Sequence, residues 1–131
     1  MRYIALLSAA CGLALGSALL ASESQSQSNY TGSSDYQAFC SSCHGTSAHG
    51  DGVLAPTLRT KPADLTQLRT KNDGVFPTQH VLKLVTDGHE SAGMPAWGDV
   101  FSKSQESAGR DAARLRMEAL VEYLETLQPK R

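Results

Sequence analysis

The segment Cys40-Ser41-Ser42-Cys43-His44 constrains this chain more than any other five residues in it. Two thiols three residues apart, followed at once by an imidazole, place three reactive or metal-binding groups on little more than one helical turn. Four chemistries use such a cluster, and each asks something different of the remaining sequence. A tetrahedral zinc site needs two further ligands, for which His49, His80 and His89 are the remaining histidines. A thioredoxin-like dithiol wants a βαβ setting, and no run of alternating apolar residues reads as a strand. A disulfide closed over two residues is strained and makes no use of the histidine. Covalent haem attachment uses all three groups. Each thiol adds across one vinyl group on the porphyrin rim, and His44 is carried under the ring to coordinate iron.

Iron then asks for a sixth ligand. Met94 leads, because it lies in Gly93-Met94-Pro95, inside the broken stretch GHESAGMPAWG from Gly88 to Gly98, too irregular for a regular element. A thioether on a Gly-Pro turn suits the Met/His pair of high-potential haems. His89, five residues upstream, is the rival ligand, and an open position is the third choice. Met94 as a gap-filler in the core is the bland alternative. His49 and His80 read as surface residues without a role.

The N-terminus bears on compartment. Arg2 is the only charge before Glu23, and Ala, Leu, Gly and Ser dominate between them. This is the pattern of a secretory leader over residues 1–21, cleaved after Ala18 or Ala21. The run from Tyr3 to Ser22 is also near the length of a membrane span, so a retained anchor is the second reading. A lipidated Cys11 is the third, weakened by Ser8 where a large aliphatic residue is expected. All three export the rest of the chain. Removal of the leader takes Cys11 with it, which resolves the odd count of three cysteines.

Residues 22–29, SESQSQSN, read as a polar linker. From residue 30 to 131 the patterning is helical. Ser34-Asp35-Tyr36-Gln37 has capping-box spacing before a helix that runs into Cys40. A Gly- and Pro-containing loop spans Gly45 to Leu58. Pro62-Ala63-Asp64-Leu65 resembles the first turn of a short helix. Pro77-Thr78 opens another, carrying Val81, Leu82, Leu84 and Val85 and stopping at Gly88. A last helix over about Arg110 to Leu127 shows one apolar stripe in Leu120, Tyr123, Leu124 and Leu127. The expectation is one small all-α domain of three to five helices. With 6% aromatic residues, such a domain is short of core and needs a staple, which a bulky cofactor supplies. Twelve Lys and Arg against thirteen Asp and Glu, spread along the chain, give no footprint for nucleic acid.

At this point the resemblance is specific: residues 30 to 131 resemble a mono-haem class I cytochrome c. Beyond the Cys-Cys-His segment and Met94-Pro95, Gly32 and Tyr36 sit eight and four residues before Cys40. The resemblance implies that both pack against the last helix, with Leu120 and Tyr123 as partners. It implies that the Pro56 carbonyl accepts the second ring proton of His44, and that Leu58 packs on the haem face. No family residue for the haem propionates can be matched; Arg59, Tyr30 and Trp97 are the candidates. The implied activity is one-electron transfer through a single haem c, without catalysis, by a periplasmic monomer that meets unidentified redox proteins. Membrane contact is expected only if the leader stays. A haem-based gas sensor and a fixed subunit of a membrane oxidase or dehydrogenase are the alternatives. Arg59, Lys61, Arg69 and Lys71 form a candidate docking cluster.

Overall fold

Thr31 opens the first helix. Its hydroxyl accepts from the Ser34 N–H at 3.0 Å, and Ser34 Oγ accepts from the Thr31 N–H at 3.0 Å, a reciprocal capping box. The start lies three residues before the expected one, because Ser34 serves as the returning partner of a cap rather than as the cap itself. The computed structural model describes residues 31–104 and 109–130; the leader, the linker and Tyr30 lie outside them. Helix α1 covers Gly32–Asp35, passes into a π-helical turn over Tyr36–Cys40, and continues as α2, Ser41–His44. In the π turn the Ser41 N–H reaches back to the Tyr36 carbonyl, a wider ladder that often marks functional segments.

Helix α3 is Thr78–Asp87, α4 is Trp97–Ser104 and α5 is Gly109–Thr126. Short 3₁₀ turns at Ala55–Thr57, Leu65–Gln67, Thr70–Asn72 and Glu90–Ala92 punctuate the loops. Among the described residues the sole β pairing is a bridge between His89 and Met94, so the fold is all-α. None of the described helices is long and apolar enough to cross a membrane.

Helix α5 is the spine. Ala113, Met117, Leu120, Val121 and Leu124 are buried along one face, at the spacing of a helical stripe, and α1, α3 and α4 all pack on this helix. Tyr36 is fully buried and its ring lies 5.5 Å from that of Tyr123, while its hydroxyl donates to the Gly45 carbonyl at 2.6 Å. Gly32 is required at the α1–α5 crossing. A Cβ there would stand 2.6 Å from the Ala119 carbonyl carbon and 2.8 Å from Tyr123 Cβ.

Two polar fastenings complete the frame. Asp35 and Arg116, both buried, join α1 to α5 through Nε–Oδ2 and Nη2–Oδ1 bonds of 2.6 and 2.7 Å. Gln128, buried just past α5, accepts from the Arg69 N–H at 3.0 Å and donates to the Leu65 carbonyl at 2.8 Å. The turn it holds starts one residue after Asp64, whose carboxylate caps it by accepting from the Thr66 N–H at 2.9 Å. Helix α4 was not anticipated in the sequence: it is short, starts two residues after Pro95, and carries Gly98 and two serines.

Candidate functional site

The helices, with the loops around residues 58–63 and 92–95, border a partly open cavity of about 310 Å³ whose wall is largely apolar. Cys40, Cys43 and His44, brought in by the π turn and α2, form part of that wall. Leu58, Met94 and Trp97 form another part, and Leu120 and Leu124 contribute from α5. Of the described residues expected to meet the cofactor, all lie on this wall except Pro56 and Arg59; Tyr30 lies outside the described residues.

His44 is oriented from behind. Its Nδ1 stands 3.0 Å from the Ala63 carbonyl. A carbonyl can only accept, so Nδ1 carries the proton and Nε2 keeps the lone pair needed for a metal. This corrects the role expected of Pro56. Residues Ala55–Thr57 close a 3₁₀ turn of their own, Pro56 is exposed, and the chain returns beneath His44 only at Pro62-Ala63. On the outer side, Gly50, Gly52 and Leu54 donate backbone N–H bonds to His44, Cys43 and Ser42. The loop therefore runs back along the attachment segment and holds it rigid.

The thiol chemistry separates the readings left open in the sequence. Cys40 and Cys43 are free thiols. Burial first, then the negative charge of Asp35, pushes the Cys40 thiol up to about 12. A redox-active cysteine needs a stabilised thiolate, the reverse of this setting. Among the described residues no group of three or more His, Cys, Asp or Glu side chains is placed to hold a metal ion.

Met94 is presented by a tight loop. His89 N–H bonds the Met94 carbonyl at 2.8 Å and Met94 N–H bonds the His89 carbonyl at 3.1 Å. Gly93, at φ +77°, makes the left-handed turn immediately before it. His89 also borders the cavity but is exposed, whereas Met94 is half-buried against the core. Of the propionate candidates, Trp97 lies on the wall; Arg59 is off it and exposed, with Thr60 and Lys61 taking the place beside the cavity. His80 is exposed, and His49 Nδ1 lies 3.6 Å from Asp64 Oδ2. Arg69, expected in a docking cluster, is instead tied to Glu125 at 3.0 Å. Sequence reasoning missed Ala63, Phe39, the place of Lys61 on the cavity wall and the Asp35–Arg116 pair; only Pro62, beside Ala63, carried a local signal.

A family model described as cytochrome C oxidase, cbb3-type, subunit III matches residues 28–109. The chain belongs to this family of cytochromes c. Comparison with curated proteins and with solved structures gives no match. The matched span holds the attachment segment, the Met94 loop and α4; nearly all of α5 lies beyond it.

The protein is thus a mono-haem class I cytochrome c, with one haem c bound covalently through its single Cys-Cys-His segment. The residues present fit that group. Left to water, an apolar wall of this kind forgoes about 25 cal/mol for each Å² that a partner could cover. A large apolar disc supplies that cover, and the two thiols, the His44 lone pair and the apolar wall are what it needs. Cytochromes of this class act in haem-based electron transfer.

Proposed function

We propose that this cytochrome is an exported carrier that passes single electrons between redox proteins, with His44 and Met94 as its axial ligands. One observation carries the reading: a single apolar cavity is bordered by both a histidine with a committed Nδ1 proton and a half-buried methionine on a braced loop. Once bound, haem c supplies the one-electron Fe(III)/Fe(II) couple. The chain's own work is to hold it still. Ala63 fixes the plane of His44 and raises its basicity. The His89–Met94 backbone pair keeps the thioether from swinging away, so little rearranges when charge changes. The apolar wall and the neutral sulfur disfavour the extra positive charge of the ferric state, which raises the potential. With both axial positions taken, substrates find no open site.

Ligation is tested on the ferric protein. The weak red band of thioether ligation is expected in wild type and lost in Met94→Ala, together with a fall of the midpoint potential. A strongly negative wild-type potential, or a band that survives the substitution, overturns Met94.

The printed description of the matching family favours a second reading, a fixed cytochrome subunit of a membrane oxidase. Release of the pigment in a periplasmic extract supports the carrier; retention with the membranes supports the subunit. Arg59, Lys61 and Lys71 are all exposed and supply positive charge for a partner. Electron-transfer rates that fall as salt rises support docking there, and a flat response rejects it.

A further inference from the structure

Arg116 is buried, far along the sequence from both axial residues, and absent from the cavity wall. Its guanidinium makes a bidentate pair with Asp35. The same group lies 4.3 Å from the centroid of Phe101 and 5.4 Å from that of Phe39. Those two rings are 5.4 Å apart, and Trp97 closes a triangle with them at 5.5 Å from Phe39 and 6.0 Å from Phe101. Phe39 immediately precedes Cys40. Trp97 is the first residue of α4 and lies three residues after Met94.

The triangle therefore bridges the segment that carries the attachment cysteines and the loop that carries the methionine. Among the described residues, Arg116 is the charged group stacked on it. A planar cation over an aromatic face attracts the ring quadrupole, and Arg alone among the cationic side chains can stack and pair bidentately at once. Neither function is needed merely to join α1 to α5, since a buried ion pair is commonly replaced by apolar residues without loss of stability.

We propose that Arg116 is a positioning residue for the axial methionine: held by Asp35, it locks Phe39, Phe101 and Trp97 together, and Trp97 anchors the loop that presents Met94 to iron. The inference rests on the His44/Met94 reading. Loosening the triangle leaves both axial residues in place but lets the methionine leave the iron more often. A small competing ligand then gains the position more easily.

The test is titration of the ferric, haem-loaded full chain with imidazole, which binds iron only when the methionine has left. Arg116→Lys keeps a charge but loses the fork and the stack, and is expected to bind imidazole at least about tenfold more tightly than wild type. The red thioether band is expected to weaken in parallel. The double variant Asp35→Leu/Arg116→Met removes the charges while keeping apolar volume, and is expected to shift the same way should the lysine variant fold poorly. Gln128→Ala loosens α5 at its other end without touching the rings, and is expected to stay within about twofold of wild type. Wild-type imidazole affinity in the lysine and double variants overturns the inference, as does an equal shift in Gln128→Ala at equal loss of stability. Met94→Ala separates the two layers of argument. Tighter imidazole binding there upholds Met94 as the ligand; no change refutes that reading and takes this one with it.

Discussion

Replacing Gly32 with alanine tests the crossing of α1 and α5 most directly. The added Cβ would stand 2.6 Å from the Ala119 carbonyl carbon and 2.8 Å from Tyr123 Cβ, where ordinary contact begins at 3.4 Å. Both obstacles are backbone or root atoms of α5, with no flexible side-chain end to move aside. The Ala119 carbonyl oxygen is nearer still, so the helices must part by more than 1 Å, and the Tyr36–Tyr123 contact opens with them. Overpacking of this kind costs about 1–3 kcal/mol. The helix propensity gained from Gly to Ala is at most about 1 kcal/mol, and less at the first helical position. A net loss of about 2 kcal/mol corresponds to a Tm lower by about 8–16 °C in a domain of this size. Thermal unfolding of the haem-loaded protein, followed by far-ultraviolet circular dichroism, measures it. A melting point within about 2 °C of wild type would mean that the crossing is not close-packed, and the argument for Gly32 fails.

Three other outcomes follow from the same geometry. Gln128→Ala leaves the Arg69 N–H and Leu65 carbonyl without their partner and is expected to cost about 1–3 kcal/mol, read as a lower urea midpoint at unchanged slope. Pro56→Ala is expected to leave spectrum, potential and melting point unchanged, because the Ala63 carbonyl supports His44; a lowered potential would return that role to Pro56. The hydrogen bond from Thr66, aided by His49, holds the Asp64 carboxyl below its usual range. A depressed carboxylate stabilises above its unfolded pKa and loses that contribution as pH falls through the folded value. The urea midpoints of wild type and Asp64→Asn are therefore expected to differ at neutral pH and to converge below about pH 4. Parallel curves down to strong acid would refute the assignment.

How much of this was legible in the sequence depends on the range of each interaction. The attachment segment, α3 with Val81 and Val85, and the stripe on α5 are local patterns, and they appear where the spacing put them. Capping was half legible: Thr31 and Ser34 are both good caps, and only the fold shows which one begins the helix. Counting offsets placed Gly32 and Tyr36 against α5 correctly because no loop intervenes between them and Cys40. The same counting failed for Pro56, since the length of the loop after His44 is not encoded in any residue type. Asp35 and Arg116 are 81 positions apart, and a single sequence holds no signal that pairs them. Helix α4 was lost among Gly, Pro and Ser, although Trp97 and Phe101 had helical spacing.

The placement of α5 has a consequence for biosynthesis. The cysteines and His44 leave the ribosome well before the residues that clasp α1 and the π turn leading to them, Arg116, Ala119 and Tyr123. Until α5 emerges, the face of α1 and the π turn that it covers stays open, because those contacts are of long sequence separation. The nascent chain thus keeps the cavity that both sulfurs border within reach of whatever joins them to porphyrin until α5 has been made.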